Sequence, residues 1–191
     1  MENNQEKILS SLLGEVKGAT IHGYSDVRIK NIILDSRKVL PGSLFVALRG
    51  TQTDGHQFIG TATELGASAI LCEELPENPR EDVTYVEVED SAAAMGLIAA
   101  AFYGHPSSKV KLVGVTGTNG KTSVATFLFQ LFRALGYRCG LLSTVQNQIE
   151  DEIIPSTHTT PDAVALNALI AQMAARNCSH VFMEVLSLIH I

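Results

Sequence analysis

Cysteine is scarce in this chain: Cys72, Cys139 and Cys178 are odd in number, far apart, and form no CxxC spacing. That argues against a disulfide framework and a cysteine zinc site, and fits small buried thiols in a reducing, cytoplasmic compartment. Basic residues are also few. Lys and Arg number 14 against 20 Asp and Glu, a formal net charge of -6, so a nucleic-acid partner held by a basic face is not expected. No run approaches the roughly 18 apolar residues of a membrane span. The opening Met-Glu-Asn-Asn-Gln-Glu-Lys lacks the cationic flank and apolar core of a secretory signal. Internal repeats and low-complexity segments are absent. What is present is 46% hydrophobic residues, enough for a buried core in one large domain or two small ones. The expectation is a soluble cytoplasmic monomer that contacts neither nucleic acid nor membrane.

The acidic excess is uneven. Residues 1–105 carry 15 acidic and 8 basic side chains, and residues 106–191 carry 5 and 6, so an anionic ligand is easier to place in the second half, or against a few placed cations in the first. In the first half, Ile8, Leu9, Leu12 and Leu13 predict a helix over 5–13. Strands are expected at 29–34 and 43–48, separated by the turn signal Pro41-Gly42. Phe58, Ile59, Ala62 and Leu65 mark a helix that Gly66 would stop. Strands follow at 69–72 and 83–88, and Ser91 is placed to cap a helix over 92–103. This alternation predicts an α/β domain over 1–105.

Gly104-His105-Pro106-Ser107-Ser108 reads as the boundary, and a second α/β unit over 106–191 begins with the apolar run 110–115. A helix at about 122–135, strands at 138–144 and 180–185, and a helix at 162–176 would follow. The 86 residues after 105 are fewer than the roughly 150 that cover both faces of such a sheet. An incomplete domain is therefore expected there.

Directly after the run 110–115 stands Thr116-Gly117-Thr118-Asn119-Gly120-Lys121-Thr122. Strand, glycine-bearing loop, lysine and threonine, then helix, is the layout of a phosphate-cradling P-loop. Backbone N–H groups of Gly117 to Ser123 would face phosphate oxygens at a helix N-terminus. Lys121 would reach the β/γ-phosphates, and the Thr122 hydroxyl would hold Mg²⁺. Val115 stands where the common pattern has its first glycine, and a plain glycine turn is the other reading. The expected cofactors are ATP or GTP with Mg²⁺.

Glu184 closes the apolar run Val181-Phe182-Met183, so it is either a Mg²⁺-orienting carboxylate at a strand end or a solvated one. Thr159-Thr160-Pro161-Asp162 is either a helix start capped by Thr160 or an anion contact. Asp35-Ser36-Arg37 could meet a ligand, or be a local ion pair around a turn. Asp54-Gly55-His56 invites a metal reading, but two residues make no site and a turn into the next helix is the simpler account. His22 and His105 fall in turn-rich surface segments.

Together these motifs resemble the Mur ligase family of ATP-dependent amide-forming enzymes, and within it the MurE type. The likeness runs from about Ile32 to Val185. It includes Asp35-Ser36-Arg37, Pro41-Gly42-Ser43-Leu44-Phe45-Val46-Ala47, Asp54-Gly55-His56, Gly66-Ala67 and the loop 116–122. It continues through Ser143-Thr144-Val145 with Asn147, Thr159-Thr160-Pro161 and Met183-Glu184-Val185. The loop form is shared with folylpolyglutamate synthases, whereas the Asp-Ser-Arg, Thr-Thr-Pro and Met-Glu-Val elements are more specific. The resemblance implies a small UDP-substrate-binding α/β domain followed by a partial ATP-binding central domain. It implies that Leu34, Ser36, Thr51, Gln52 and Thr53 hold the uridine-diphosphate end of UDP-N-acetylmuramoyl-dipeptide. His158, Thr159 and Thr160 would contact its muramoyl peptide. Residues Gly117, Thr118, Asn119, Gly120, Lys121, Thr122 and Ser123 would form the ATP loop, and Glu184 a Mg²⁺ ligand. Asp54-Gly55-His56 becomes a fold element beside the substrate loop.

The family follows Glu-Val with Ser-Ser-His, whereas this chain has Leu186-Ser187-Leu188, and 186–191 is read as a departure from the native continuation. The rest of the central domain, with a carbamylated lysine, and a C-terminal domain for the incoming amino acid are also implied beyond these residues. The implied reaction activates a carboxylate as an acyl phosphate that an amine then attacks, with Lys121, Thr122 and Glu184 as its catalytic groups in this chain. Meso-diaminopimelate and lysine remain open as the added amino acid. A sibling Mur ligase, a folylpolyglutamate synthase and a non-catalytic UDP-sugar-binding module are the competing readings.

Overall fold

The computed structural model describes residues 6–50, 53–154 and 162–185. The chain divides into two compact units, Met1–Phe102 and Tyr103–Ile191. Thr51, Gln52, His158, Thr159, Thr160 and the tail 186–191 lie outside the described residues, so the expectations placed on them stay as stated.

The first unit runs β1 (Lys7–Ile8), α1 (Leu9–Leu12), β2 (Thr20–His22), β3 (Arg28–Ile29), β4 (Asn31–Ile33), β5 (Ser43–Val46), α2 (Ile59–Glu64), β6 (Ala69–Cys72), β7 (Thr84–Glu87) and α3 (Ser91–Phe102). Its main sheet has the order β2-β7-β6-β5-β4, parallel from β4 to β7, with β2 antiparallel at one edge. Alternation along the strands makes the two faces. Phe45, Ile70 and Tyr85 join Ile59 and Ala62 of α2 in one buried cluster, and their neighbours Leu44, Leu71 and Val86 are also fully buried. A parallel sheet buried on both faces explains why β5 and β6 read as unbroken apolar runs.

Three local expectations are corrected. The strand placed at 29–34 is two strands, because Arg28–Ile29 pair with β1 while Asn31–Ile33 pair with β5. The helix placed at 5–13 is only the turn Leu9–Leu12, since Lys7 and Ile8 are drawn into that β1–β3 pairing. Asp90, not Ser91, caps α3: its Oδ1 accepts from Ala92 and Ala93 N–H, each at 2.9 Å. Ser91 is fully buried and donates to Ala47 O at 2.8 Å. The carboxylate one residue earlier has the reach that two first-turn amides need.

The second unit runs β8 (Lys111–Val115), α4 (Lys121–Ala134), β9 (Cys139–Leu142), β10 (Asn147–Ile149), β11 (Glu152–Ile154), α5 (Ala163–Ala175) and β12 (His180–Glu184). The sheet order is β11-β10-β9-β12-β8. β12 is parallel to both β8 and β9, and β10 and β11 form an antiparallel extension. Leu141 and Phe182 pack with Ala125 and Phe129 of α4. Their neighbours Leu142 and Val181 pack with Ile170 and Met173 of α5. The two helices therefore cover opposite faces of one sheet. The helix start expected at Thr160-Pro161 is corrected: Asp162 is the N-cap of α5, accepting from Ala165 N–H at 2.8 Å.

Among the described residues, the β8 edge and the outer side of α4 stay uncovered. β8 forms the sheet edge and is largely exposed, and Val124, Phe127 and Leu131 make an exposed apolar stripe along α4. No helix among the described residues is long and apolar enough to cross a membrane.

Candidate functional site

In the second unit the C-terminal ends of β8, β9 and β12 lie side by side, the position at which parallel α/β sheets receive ligands. β8 delivers Thr116 to Gly120 into α4. Gly117 (φ 145°) and Gly120 (φ 79°) both take backbone conformations that favour glycine. Gly120 starts α4 with no side-chain cap and no acidic residue in the first turn. The N–H groups of that turn have no partner within the helix, so its partial positive charge is directed at the loop. Lys121 turns back on the loop, and its Nζ donates to Gly117 O at 2.7 Å and to Thr118 O at 3.5 Å.

Glu184, at the end of β12, faces this helix start. Its Oε2 accepts from Thr122 Oγ1 at 3.0 Å, Thr144 Oγ1 at 3.0 Å and Thr144 N–H at 3.2 Å. Burial pushes the Glu184 carboxyl up. The Thr144 amide, the two hydroxyls and nearby Lys121 outweigh that and hold it below the ordinary glutamate value. The group is thus an anion with its charge placed on one oxygen.

These residues fit Mg²⁺. Adjacent ligands of an octahedral ion with bonds of roughly 2.1 Å stand about 3 Å apart, the separation of Thr122 Oγ1 from Glu184 Oε2. Among the described residues no group of three or more His, Cys, Asp or Glu could enclose a metal. That suits an ion that keeps waters and shares phosphate oxygens more than one caged by protein.

Of the expected site residues in this unit, Lys121, Thr122 and Glu184 are brought together with the loop, and Ser123 is exposed on the first turn of α4. Thr144 holds Glu184 yet stood in no expected site. A Ser-Thr pair closing the strand next to that of Glu184 was the available signal, and only the sheet order makes it readable.

In the first unit, Leu34, Asp35 and Ser36 follow the C-terminal end of β4, and residues 47–54 follow that of its neighbour β5. Ser36 is buried, whereas Thr53 is exposed. Asp35 and Arg37 form the local pair: Oδ1 accepts from Arg37 N–H and Nε–H, and Oδ2 from Nη2–H. The guanidinium holds the Asp35 carboxyl down at about 2. Asp54 and His56 are a fold element. Asp54 accepts from His56 N–H at 2.9 Å, His56 Nδ1 stands 2.6 Å from Asp54 Oδ1, and His56 Nε2 accepts from Glu73 N–H at 2.9 Å. With Nε2 accepting, the imidazole proton sits on Nδ1 and points to Asp54. His22 pairs with Glu87 at 3.0 Å, and His105 is exposed.

A Mur ligase family model, described as the catalytic domain, matches residues 28–103, and the Mur ligase middle domain matches residues 115–188. A UDP-N-acetylmuramoyl-L-alanyl-D-glutamate–2,6-diaminopimelate ligase of Bacteroides fragilis is 54% identical over 94% of this chain and 37% of its own length. The protein of the same name from Cytophaga hutchinsonii is 53% identical over the same shares. A solved structure bearing this name superposes with a TM-score of 0.71 at 25% identity, over 86% of this chain and 33% of that one. MurF from Acinetobacter baumannii, at 18% identity over 94% of this chain and 36% of that one, shares the fold with a TM-score of 0.65. The chain spans little more than a third of the length of the curated relatives it matches.

Proposed function

The chain belongs to the Mur ligase family, and from that premise we propose that it is the substrate- and ATP-binding portion of an amide ligase of peptidoglycan precursor synthesis. The reaction is the addition of 2,6-diaminopimelate to UDP-N-acetylmuramoyl-L-alanyl-D-glutamate, as in the names of its relatives from Bacteroides fragilis and Cytophaga hutchinsonii. The observation that carries the nucleotide half is the meeting of Thr122, Thr144 and Glu184 at the uncapped, glycine-started α4.

When bound, ATP would supply the phosphoryl group that makes an acyl phosphate of the poorly electrophilic substrate carboxylate, and Mg²⁺ held by Thr122 and Glu184 would lower the repulsion between the two anions. The chain's own residues prepare that step. The amides of Gly117 to Ser123 and the α4 dipole cradle phosphate oxygens. Lys121, which donates to Gly117 O at 2.7 Å, would turn to a β/γ-phosphate and neutralise charge there. Thr122 and Glu184 offer neighbouring oxygens to the metal, while Thr144 fixes the rotamer of Glu184 and keeps it ionised. In the first unit, Leu34, Ser36 and Thr53 lie at the ends of β4 and β5 or on the connections leaving them. Together with Thr51 and Gln52 they are assigned the uridine-diphosphate end. His158, Thr159 and Thr160 are assigned the muramoyl peptide.

Calorimetric titration with UDP-N-acetylmuramoyl-L-alanyl-D-glutamate, and separately with MgATP, tests both halves. Selective uptake of the dipeptide substrate over UDP-N-acetylglucosamine is expected, as is ATP binding that depends on Mg²⁺. A folded chain that takes neither would overturn the reading. The chain alone is expected to bind without turnover, and amide formation by it would refute that point.

A further inference from the structure

Glu73, just past the end of β6, touches both ends of the connection 49–54 that leaves β5. Its Oε2 pairs with Arg49 Nε at 2.9 Å, and its backbone N–H donates to His56 Nε2, which is tied through Nδ1 to Asp54. The third attachment is α3. Glu73 Oε1 accepts from Ser91 N–H at 3.0 Å. Ser91 Oγ stands between Glu73 Oε1 at 3.0 Å and Ala47 O at 2.8 Å, sharing its one proton between them.

The two stems meet each other independently. Arg49 and Asp54 form an antiparallel bridge, Gly50 N–H donates to Thr53 O at 3.0 Å, and Gly55 N–H donates to Leu48 O at 2.7 Å. Arg49 also reaches Glu74, but the Glu74 side chain is 75% exposed, where an ion pair contributes little. The Glu73 side chain is only 19% exposed, and its carboxylate pairs with Arg49 while taking charge-assisted hydrogen bonds from Ser91.

We propose that Glu73 is a positioning residue, its carboxylate fixing the Arg49 stem of the 49–54 connection to α3 and its backbone N–H holding the His56 stem. Through them it sets how a nucleotide-diphosphate ligand approaches the C-terminal ends of β4 and β5. The inference rests on the substrate reading above and adds residues to it that no motif named: Glu73, Arg49 and Ser91. Glu73 does not touch ligand in this account. Its carboxylate acts through Arg49.

The test compares the parent chain with Glu73→Gln and, as control, Glu74→Gln. Amide hydrogen exchange is read at Gly50 and Gly55, the melting temperature by calorimetry, and the affinity for UDP-N-acetylmuramoyl-L-alanyl-D-glutamate by titration. Glu73→Gln is expected to speed exchange at Gly50 more than at Gly55, whose stem keeps the backbone bond to His56, and to weaken the ligand by about tenfold, with little change in melting temperature. Glu74→Gln is expected to match the parent in all three. If Glu73→Gln fails to fold, Arg49→Gln serves instead, since it cuts one stem and leaves the Glu73–Ser91 bonds intact. Parent-like exchange at Gly50 and Gly55 overturns the proposal, and so does faster exchange with unchanged affinity. A parent chain that binds no UDP substrate, while Glu73→Gln still speeds exchange, removes the substrate reading and leaves the two-stem attachment standing.

Discussion

Thr122 Oγ1 donates to Glu184 Oε2 at 3.0 Å, joining the first turn of α4 to the end of β12 across 62 positions of sequence. The pair ties the P-loop helix to β12, the strand next to the sheet edge. There the lysine, the hydroxyl and the carboxylate are held before any ligand arrives.

Glu184→Gln keeps the size of the side chain and removes its charge. Mg²⁺-dependent ATP binding is expected to weaken by about 10- to 100-fold, the worth of a charged contact of roughly 1.5–3 kcal/mol. Binding measured without Mg²⁺ should change little. Titration of both variants with and without the metal checks this, and equal losses in the two conditions would remove Glu184 as a metal ligand.

Thr144→Val deletes one of the hydroxyls that keep Glu184 ionised. The Glu184 carboxyl is expected to move up from its lowered value towards the ordinary glutamate range, because burial remains while a donor is lost. Carbon-detected NMR titration of the carboxyl reads the shift directly. An unmoved or further lowered titration would contradict it.

Asp35 titrates at about 2 against an ordinary 3.8, chiefly through the Arg37 guanidinium. A depressed folded-state value contributes stability that is complete above 3.8 and is lost as pH falls towards about 2. Asp35→Asn should therefore flatten the acid limb of urea midpoint against pH in that window, and leave the curve above pH 5 parallel to the parent. The pair is at the surface, so the effect is small.

Gly120→Ala places a Cβ where nothing lies within 4 Å, so the cost is backbone strain alone at φ 79°. About 1–2 kcal/mol of stability is expected to be lost, with ATP binding falling further as the loop relaxes away from the helix start. Denaturant melts and titration on the same preparation separate the two effects.

Phe127→Glu tests the open face of α4. Phe127 is 67% exposed and lies on one stripe with Val124 and Leu131, the kind of apolar patch that drives self-association. The variant is expected to sediment with less self-association than the parent at equal concentration. Stability should stay within about 0.5 kcal/mol, as for other surface substitutions.

The parts legible in the sequence were those written locally. The loop 116–122, the helix stop at Gly66, the buried strand at 69–72 and the strand at 110–115, which the structure leaves exposed at the sheet edge, each announce themselves within a few residues. The hairpin of β10 and β11 went unread because its turn carries no glycine. Glu150 itself takes the left-handed conformation, φ 54°, which no turn signal marks. The roles of Thr144 and Glu73 depend on which strands become neighbours, a relation between distant segments that periodicity does not encode. The Ser91 expectation failed by one residue for a related reason. A hydroxyl and a carboxylate both suit a helix start, and tertiary contact with Ala47 took the hydroxyl.

The place of β12 between β8 and β9 has a consequence for synthesis on the ribosome. Lys111 pairs with His180, and β8 and β9 have no pairing with each other in the sheet. The strand that supports the phosphate loop therefore has no partner until the chain is made through residue 184. The first unit has all its strands by Glu87 and its last helix by Phe102, so it can close while the second is still being translated. Throughout that interval the apolar residues of β8 and α4 stay uncovered in the nascent chain.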